Sequence, residues 1–390
     1  MKGYRCRLLT LLLMLPLLSG CWDRTEINDL AFVLTTGWDL EEDGQIRCSV
    51  LVPLPGQMGG PSGGGGGSSG GKSFYIDSEV GPTFRDAQAK LQRRMSRRMF
   101  VAHRRTLLIS EELAKKGIRE VFDSTSRSPE SRMTTYMVIT SGKAYDLLNA
   151  TPKFERFSSE AIRELAKSKT IIDMNMKAVA VELSTPGMDP VVPYMGVKPS
   201  EKGEKPSKEV EALGYAQFKD DKLTGILQDK AADGLAWLKK KNVNVTASLK
   251  LPDGATVTVR FFNMNSHIKP RLTGGRLRYE IRAFAMAKVA ESTGMTDFSQ
   301  SSVVRKLENA MNDYVKESIR TTLEQAKKYH ADSAELGAYL WRAYPSVWKN
   351  QYSADWPKGL DDAEFDIQAK TVLYETGLIY ENVAKGEMDK

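Results

Sequence analysis

The sequence predicts an α+β fold, with mixed, mainly antiparallel sheets in two or three domains and a long amphipathic helix packed on a sheet in the C-terminal one. Three observations predict it. Segments that alternate apolar and polar residues recur along the chain, at residues 46–52, 243–249 and 276–289. Helical periodicity lies between such segments, and from 303 to 329 one apolar stripe runs unbroken, enough for a helix of about 40 Å. The length of 390 residues is large for one core, and the stretch 198–208, made of Lys, Glu, Gly, Ser and Pro, offers a break. The expected organisation is a signal over 1–20, an N-terminal α+β domain over 21–197 (of one or two subdomains), a linker over 198–208 and a C-terminal α+β domain over 209–390.

The chain opens with Lys2, Arg5 and Arg7, followed by a Leu-rich run over 8–18. That run is shorter than the about 20 residues a membrane span needs, and reads as a secretory signal. Its ending, Leu18-Ser19-Gly20-Cys21, resembles a bacterial lipobox. The resemblance implies cleavage before Cys21 and acylation of its thiol, so that Cys21 is the lipidation site. An ordinary cleaved signal and an uncleaved anchor are the alternatives, and no A-x-A-like site lies nearby to favour the first. Everything from Trp22 onward is then tethered to the outer face of a membrane. Trp22, Asp23, Arg24 and Glu26 follow at once, placed to contact a partner at the membrane surface. The same residues equally suit packing and turn roles before a first strand.

Residues 30–38 are apolar and read as a strand. Asp43-Gly44 is a turn, and 46–52 alternates, so the pair suggests a hairpin. The Gly/Ser tract 59–71 reads as a flexible loop within the first domain. Gly66, Gly71, Lys72 and Ser73 match the spacing of a phosphate-binding loop. A strand, Phe74-Tyr75-Ile76, follows where that motif needs a helix, which argues against nucleotide binding. A helix then starts at Gly81-Pro82-Thr83, with Phe84, Ala87, Leu91 and Met95 on one face. Arg93, Arg94, Arg97 and Arg98, extended by His103, Arg104 and Arg105, form a basic cluster after it. It reads first as a solvated face and second as a contact for lipid phosphates or an acidic partner. Nucleic acid is excluded as a partner because no aromatic side chains interleave with the charges.

The pattern continues with a strand at 106–110, short helices at 111–116 and 118–123, a strand at 135–140 and a helix at 143–149. Helices follow at 156–168 and 173–183, and Pro186, Pro190, Pro193 and Pro199 break the pattern after them. Past the linker come strands at 212–219 and 222–227, a helix at 230–238, and strands at 243–249, 256–262 and 276–289. The long helix places Val304, Leu307, Met311, Tyr314, Ser318, Leu323 and Ala326 on its stripe. A helix at 336–343 and a closing strand at 364–374 complete the chain.

The side chains offer little chemistry. His103, His267 and His330 are the only histidines, and none is spaced with another His or a Cys as metal ligands are. No nucleophile turn of the G-x-S-x-G kind occurs. No catalytic, cofactor or metal residue is therefore expected, and no enzyme. The 56 basic and 49 acidic side chains are near balance once the three basic signal residues are set aside. With Cys6 in the signal and Cys21 acylated, Cys48 stands alone, so the core must hold the fold without a disulfide. Trp341, Trp348 and Trp356 cluster around Pro345 and Pro357, and read as core or interface.

Four blocks, in order, resemble one family. The first is Gly20-Cys21-Trp22-Asp23-Arg24 with Glu26-Ile27-Asn28-Asp29-Leu30-Ala31. The second is Ser96-Arg97-Arg98-Met99-Phe100 with His103, then Leu107-Leu108-Ile109-Ser110-Glu111-Glu112-Leu113-Ala114. The third is Gly214-Tyr215-Ala216-Gln217-Phe218-Lys219, Asp221-Lys222-Leu223 and Gly234-Leu235-Ala236-Trp237-Leu238. The fourth is Gln325-Ala326-Lys327, Ala331-Asp332 and Pro345-Ser346-Val347-Trp348. The set resembles the Ger(x)C lipoproteins, the C subunits of spore germinant receptors. The chain departs from that pattern between Asp229 and Gly234, after Asp332, and in the tract 59–71, which looks like an insertion. The resemblance implies a non-enzymatic, lipid-anchored subunit on the outer face of the inner spore membrane. It also implies assembly with an A subunit and a permease-like B subunit that respond to nutrients. The rival reading from the residues is a lipid-anchored solute-binding protein feeding a permease, which would need two similar α/β lobes. A lipid-anchored envelope enzyme is a third.

Overall fold

The computed structural model describes residues 3, 24–55, 73–201, 206–241, 243–293 and 296–377. The lipobox with Cys21, the Gly-rich tract 59–71 and part of the expected linker lie outside the described residues.

The apolar run at 30–38 forms two strands, not one. β1 (Leu30–Phe32) pairs in parallel with β5 (Arg98–Phe100), while β2 (Thr35–Leu40) enters a larger sheet. β2 and β3 (Ile46–Pro53) make the expected hairpin, with Thr35 opposite Leu51 and Leu40 opposite Ile46. β4 (Phe74–Gly81) extends it antiparallel. On the other side of β2 stand β6 (Thr106–Ser110), β7 (Tyr136–Thr140) and β8 (Val191–Pro199), all parallel. β9 (Lys208–Lys219) and β10 (Lys222–Leu227) close the eight-stranded sheet antiparallel.

Consecutive residues Leu107, Leu108 and Ile109 are all fully buried, so both faces of the parallel part are covered, as parallel sheets require. The cover comes from α1 (Phe84–Gln92), α2 (Glu111–Lys116), α3 (Arg119–Ser126), α4 (Ala144–Leu148), α5 (Ser158–Lys167) and α6 (Met176–Ser184). α1 starts where Thr83 Oγ1 accepts the Asp86 N–H, and it buries Phe84, Ala87 and Leu91. The buried Asp39 side chain, at the end of β2, accepts the Ala144 and Tyr145 N–H groups at 2.6 and 3.1 Å and so caps α4. Burial raises its carboxyl above the ordinary value against those two hydrogen bonds.

One expectation needs correction here. β8 runs through Pro193, where the proline pattern reads as a break. Pro193 is tolerated because β7 pairs with β8 only at Tyr194 and Met195, so no ladder bond to β7 is asked of it. The described flanks of the expected linker are paired in the first sheet. Pro199 stands opposite Lys208, and the Ser200 N–H donates to Ser207 O at 2.9 Å. A loop rich in Lys, Gly and Pro has the same composition whether it joins two strands or two domains. The two large sheets part after Leu227.

The second sheet orders β11 (Val245–Lys250), β12 (Thr256–Thr273), β13 (Arg276–Thr293) and β14 (Glu364–Glu375). The first three are antiparallel, and β14 joins β13 in parallel. Among the described strands, six pairings are antiparallel and five parallel. Alternation puts Val245, Ala247 and Leu249 inward beside Val257, Val259 and Phe261, and further along the β12–β13 ladder it puts Ile268 inward beside Ile281. The long helix, α8 (Ser301–Tyr329), covers them with Leu307, Met311, Val315, Ile319 and Leu323. It packs against both β14 and α7 (Asp229–Leu238). Each such side chain, fully buried, is worth about 1.5–3 kcal/mol.

α7 and α8 approach through Gly234, where a Cβ would come within 2.1 Å of Ser318 O and 2.3 Å of Thr322 Oγ1. The Thr322 hydroxyl there donates to Ala231 O at 2.8 Å. Gly234→Ala is expected to lower the stability of the chain by about 1–3 kcal/mol or more, through overpacking against a backbone that cannot yield. Urea unfolding monitored by tryptophan fluorescence reads it, and an unchanged midpoint would refute the close approach.

Candidate functional site

The first two family-like blocks form one patch. β1 lies beside β5, with Leu30 opposite Arg98 and Phe32 opposite Phe100. The Phe32 ring sits 5.6 Å from Phe100 and 5.5 Å from His103. Ahead of β1, residues Ile27–Asp29 make a 3-10 turn, closed by the Glu26 N–H donating to the Asp29 carboxylate at 3.2 Å. Arg24 pairs with Glu26 at 3.1 Å, both exposed. Ile27, between them and the strand, is 75% exposed. Trp22 and Asp23 lie outside the described residues.

The basic cluster resolves into three kinds of residue. Arg94 pairs with Asp77 and Glu79, Arg98 with Glu130, and Arg105 with Glu160. Arg93 and Arg97 are exposed and have no acidic partner within ion-pair distance among the described residues. Arg104, expected on the solvated face, is instead only 7% exposed. A run of arginines gives no sign of which one turns inward.

A second site is the seam between the two halves of the chain, where a buried carboxylate is the centre. Asp332 precedes α9 (Leu336–Ala343). Its Oδ1 accepts the Leu336 N–H at 2.9 Å, and its Oδ2 accepts the Gly337 N–H at 2.6 Å and the Trp356 Nε1–H at 2.9 Å. Its own N–H donates to Asp189 Oδ2 at 2.7 Å, and Asp189 Oδ1 accepts the Asp220 N–H at 2.8 Å. Asp189 and Asp220 flank strands of the first sheet, so this chain of bonds ties α9 to that sheet. Beside it the backbones of Gly187 and Gly337 touch; Gly187 has φ +72°, and a Cβ there would meet Gly337 C at 2.4 Å. Burial pushes the Asp332 carboxyl up to about 7 and that of Asp189 to about 6, against the N–H groups that favour the charged form.

A buried ion triad stands in the same seam. Lys239 Nζ, fully buried at the end of α7, lies 2.5 Å from Glu182 Oε1 on α6 and 2.6 Å from Glu335 Oε1. Burial alone would lower its pKa, and the two carboxylates outweigh that and raise it. The tryptophan cluster lies here too. The Trp348 and Trp356 rings are 5.3 Å apart, and Tyr352 packs edge-on to Trp356. The fourth family-like block is therefore part of this seam. Its Asp332 was visible in the sequence only as a motif letter, and nothing in the sequence marked Lys239.

Among the described residues no group of three or more His, Cys, Asp or Glu is placed to hold a metal ion, and no helix is long and apolar enough to cross a membrane. Cys48 is buried, and burial pushes its thiol up to about 12, which leaves it unreactive.

The fold is that of a known protein class. The structure superposes on the crystal structure of the GerBC protein with a TM-score of 0.56 at 16% identity, over 87% of this chain and 96% of that one. A family model for the spore germination protein N-terminal domain matches residues 23–197, and one described as spore germination B3/GerAC like, C-terminal, matches 213–377. The two models adjoin across the β8–β9 hairpin, inside the first sheet. Among curated proteins, the chain is 31% identical to the putative spore germination protein YfkR of Bacillus subtilis over 98% of both chains. It is 27% identical to spore germination protein KC of the same organism over 96% of both. The chain belongs to the Ger(x)C family of spore germination proteins, the germinant-receptor C subunits.

Two outcomes follow from the seam. Lys239→Met leaves Glu182 and Glu335 without their cation and should cost about 3–5 kcal/mol, read as a lower urea midpoint. Because Asp332 and Asp189 hold protons more tightly folded than unfolded, their contribution is full below the ordinary value near 3.8. It is lost as pH rises through about 6 to 7. Asp332→Asn turns an amide donor toward N–H groups. It should lower stability and flatten the fall between about pH 4 and 7; an unaltered pH profile would show that Asp332 does not titrate there.

Proposed function

We propose that the chain is the lipid-anchored C subunit of a nutrient germinant receptor, working without catalysis by assembly with the A and B membrane subunits. The proposed anchor is Cys21 and the proposed location the outer face of the inner spore membrane. The observation that carries the reading is the short distance from lipobox to fold. Two residues, Trp22 and Asp23, separate Cys21 from Arg24, a reach of about 10 Å at full extension, and the chain is folded into β1 by Leu30. A lipid on Cys21 then holds the β1–β5 patch at the head groups. There the exposed Ile27 and the unpaired Arg93 and Arg97 can meet lipid phosphates or a membrane subunit. Each basic side chain close to an anionic surface adds about 1 kcal/mol. The partner assignment rests on relatives named as spore germination proteins KC and B3. The solute-binding alternative loses support from the structure, because the two halves are built on different sheets.

Cys21→Ala in the native spore is the test. The expected result is an unacylated protein by mass spectrometry, its loss from the membrane fraction and slow germination on the cognate nutrient. Purification of the wild-type chain should recover A and B subunits. Unchanged membrane retention and germination in the variant would overturn the anchor. Tight nutrient binding by the isolated chain in calorimetry, with no co-purifying subunit, would overturn the assembly role.

A further inference from the structure

Arg104 poses a charge problem that the chain itself does not solve. Its side chain lines a cavity of about 20 Å³ in the N-terminal half, room for one water-sized occupant. The floor is the face of the hairpin that carries Thr36, Trp38 and Cys48. α1 contributes Arg85, and the end of α3 with the turn after it contributes hydroxyls such as Thr125 and Ser128. No acidic residue lines it. Arg104 Nε and Nη2, Trp38 Nε1 and Thr36 Oγ1 are all buried and without a hydrogen-bond partner. The nearest ionisable groups are no help. Cys48 is a neutral thiol at physiological pH, and Arg85, held by Ser124 O at 2.6 Å, is a second cation. Burial lowers Arg104 only to about 10, so it stays charged.

A buried guanidinium without a counter-charge costs several kcal/mol. The unsatisfied groups also choose their ligand. Arginine Nε and Nη2 and the indole Nε1 can only donate, and the threonine hydroxyl can donate as well. A water accepts two hydrogen bonds at most and carries no charge. A small anion accepts from every one of these groups and neutralises the arginine.

We propose that this cavity is a binding site for one chloride-sized monovalent anion, held by Arg104 and oriented by Trp38 and Thr36. The site is integral to the fold, since β2, β3, α1 and α3 all border it. Its occupant stabilises the domain that carries the β1–β5 patch. Met99 and Val101 complete the wall next to β5, so the anion would be felt at the patch.

The experiment uses the purified full-length chain and compares sodium chloride with sodium gluconate at fixed ionic strength. Thermal midpoints should rise with chloride in a saturating manner and stay flat with gluconate. Bromide-soaked crystals should show an anomalous peak within hydrogen-bond distance of Arg104. Arg104→Gln should abolish the chloride-dependent rise. Thr36→Val, which keeps the charge and removes one donor, should weaken the apparent affinity about tenfold. Should Arg104→Gln fail to fold, the Thr36→Val titration and the bromide map still decide. Equal midpoints in chloride and gluconate, or a bromide map empty at Arg104, would overturn the proposal and leave a water in the cavity.

Discussion

The carboxylate of Asp332 is the constraint on which the arrangement of the two halves depends. It satisfies the first N–H groups of α9 and the indole of Trp356, and its own backbone N–H is held by Asp189. Without it, three donors in a fully buried place would have no acceptor. Lys239 and its two glutamates lie in the same seam and set a second fixed geometry between α6, α7 and the start of α9. Apolar packing tolerates sliding by a fraction of a side chain. A buried network in which each donor has one acceptor does not. Such ion triads are poor sources of net stability, because desolvation offsets much of the attraction. What this one contributes is a defined orientation between the eight-stranded and four-stranded sheets.

The four blocks that carry the family resemblance can now be read by position. The first and second meet as β1 against β5. The third supplies β9, β10 and the face of α7 that takes in α8 through Gly234. The fourth supplies Asp332 and Trp348, which packs on Trp356. Among the described residues, each block joins one part of the molecule to another.

Much of the fold was legible in the sequence, because period and turn chemistry act locally. The β2–β3 hairpin followed from Asp43-Gly44 between alternating runs, and α8 from its stripe. The stripe itself shifted: Val315 and Ile319 are buried where Val304 and Tyr314 are only partly so. What was not legible depends on neighbours distant in sequence. β8 was hidden by Pro193, which is harmless only because the β7–β8 pairing begins at Tyr194. The pairing of Pro199 with Lys208 was hidden in a stretch with the composition of a linker. The inward turn of Arg104 left no trace, since its neighbours Arg105 and Arg98 are surface residues of the same kind. The seam was legible only as letters: Ala331-Asp332 stood out as a motif, but a buried acid accepting from α9 and Trp356 is a tertiary fact.

Two buried cations make a useful comparison. Lys239 lies among carboxylates supplied by α6 and by the residue before α9, so the chain neutralises its own charge. Arg104 is as deeply placed, and its neighbourhood offers hydroxyls, an indole, a neutral thiol and another arginine. The cost of burying an ion is the same kind of cost in both places. A chain that settles it internally at one site and supplies no counter-charge at the other has left the second balance to something outside itself. Arginine suits that role better than lysine, because its charge persists after desolvation and its planar donors fix a direction. The cavity is too small for a nutrient and of the right size for a halide. The proposed anion therefore belongs with the architecture of the first half, beside the β1–β5 patch, and not with recognition of a germinant.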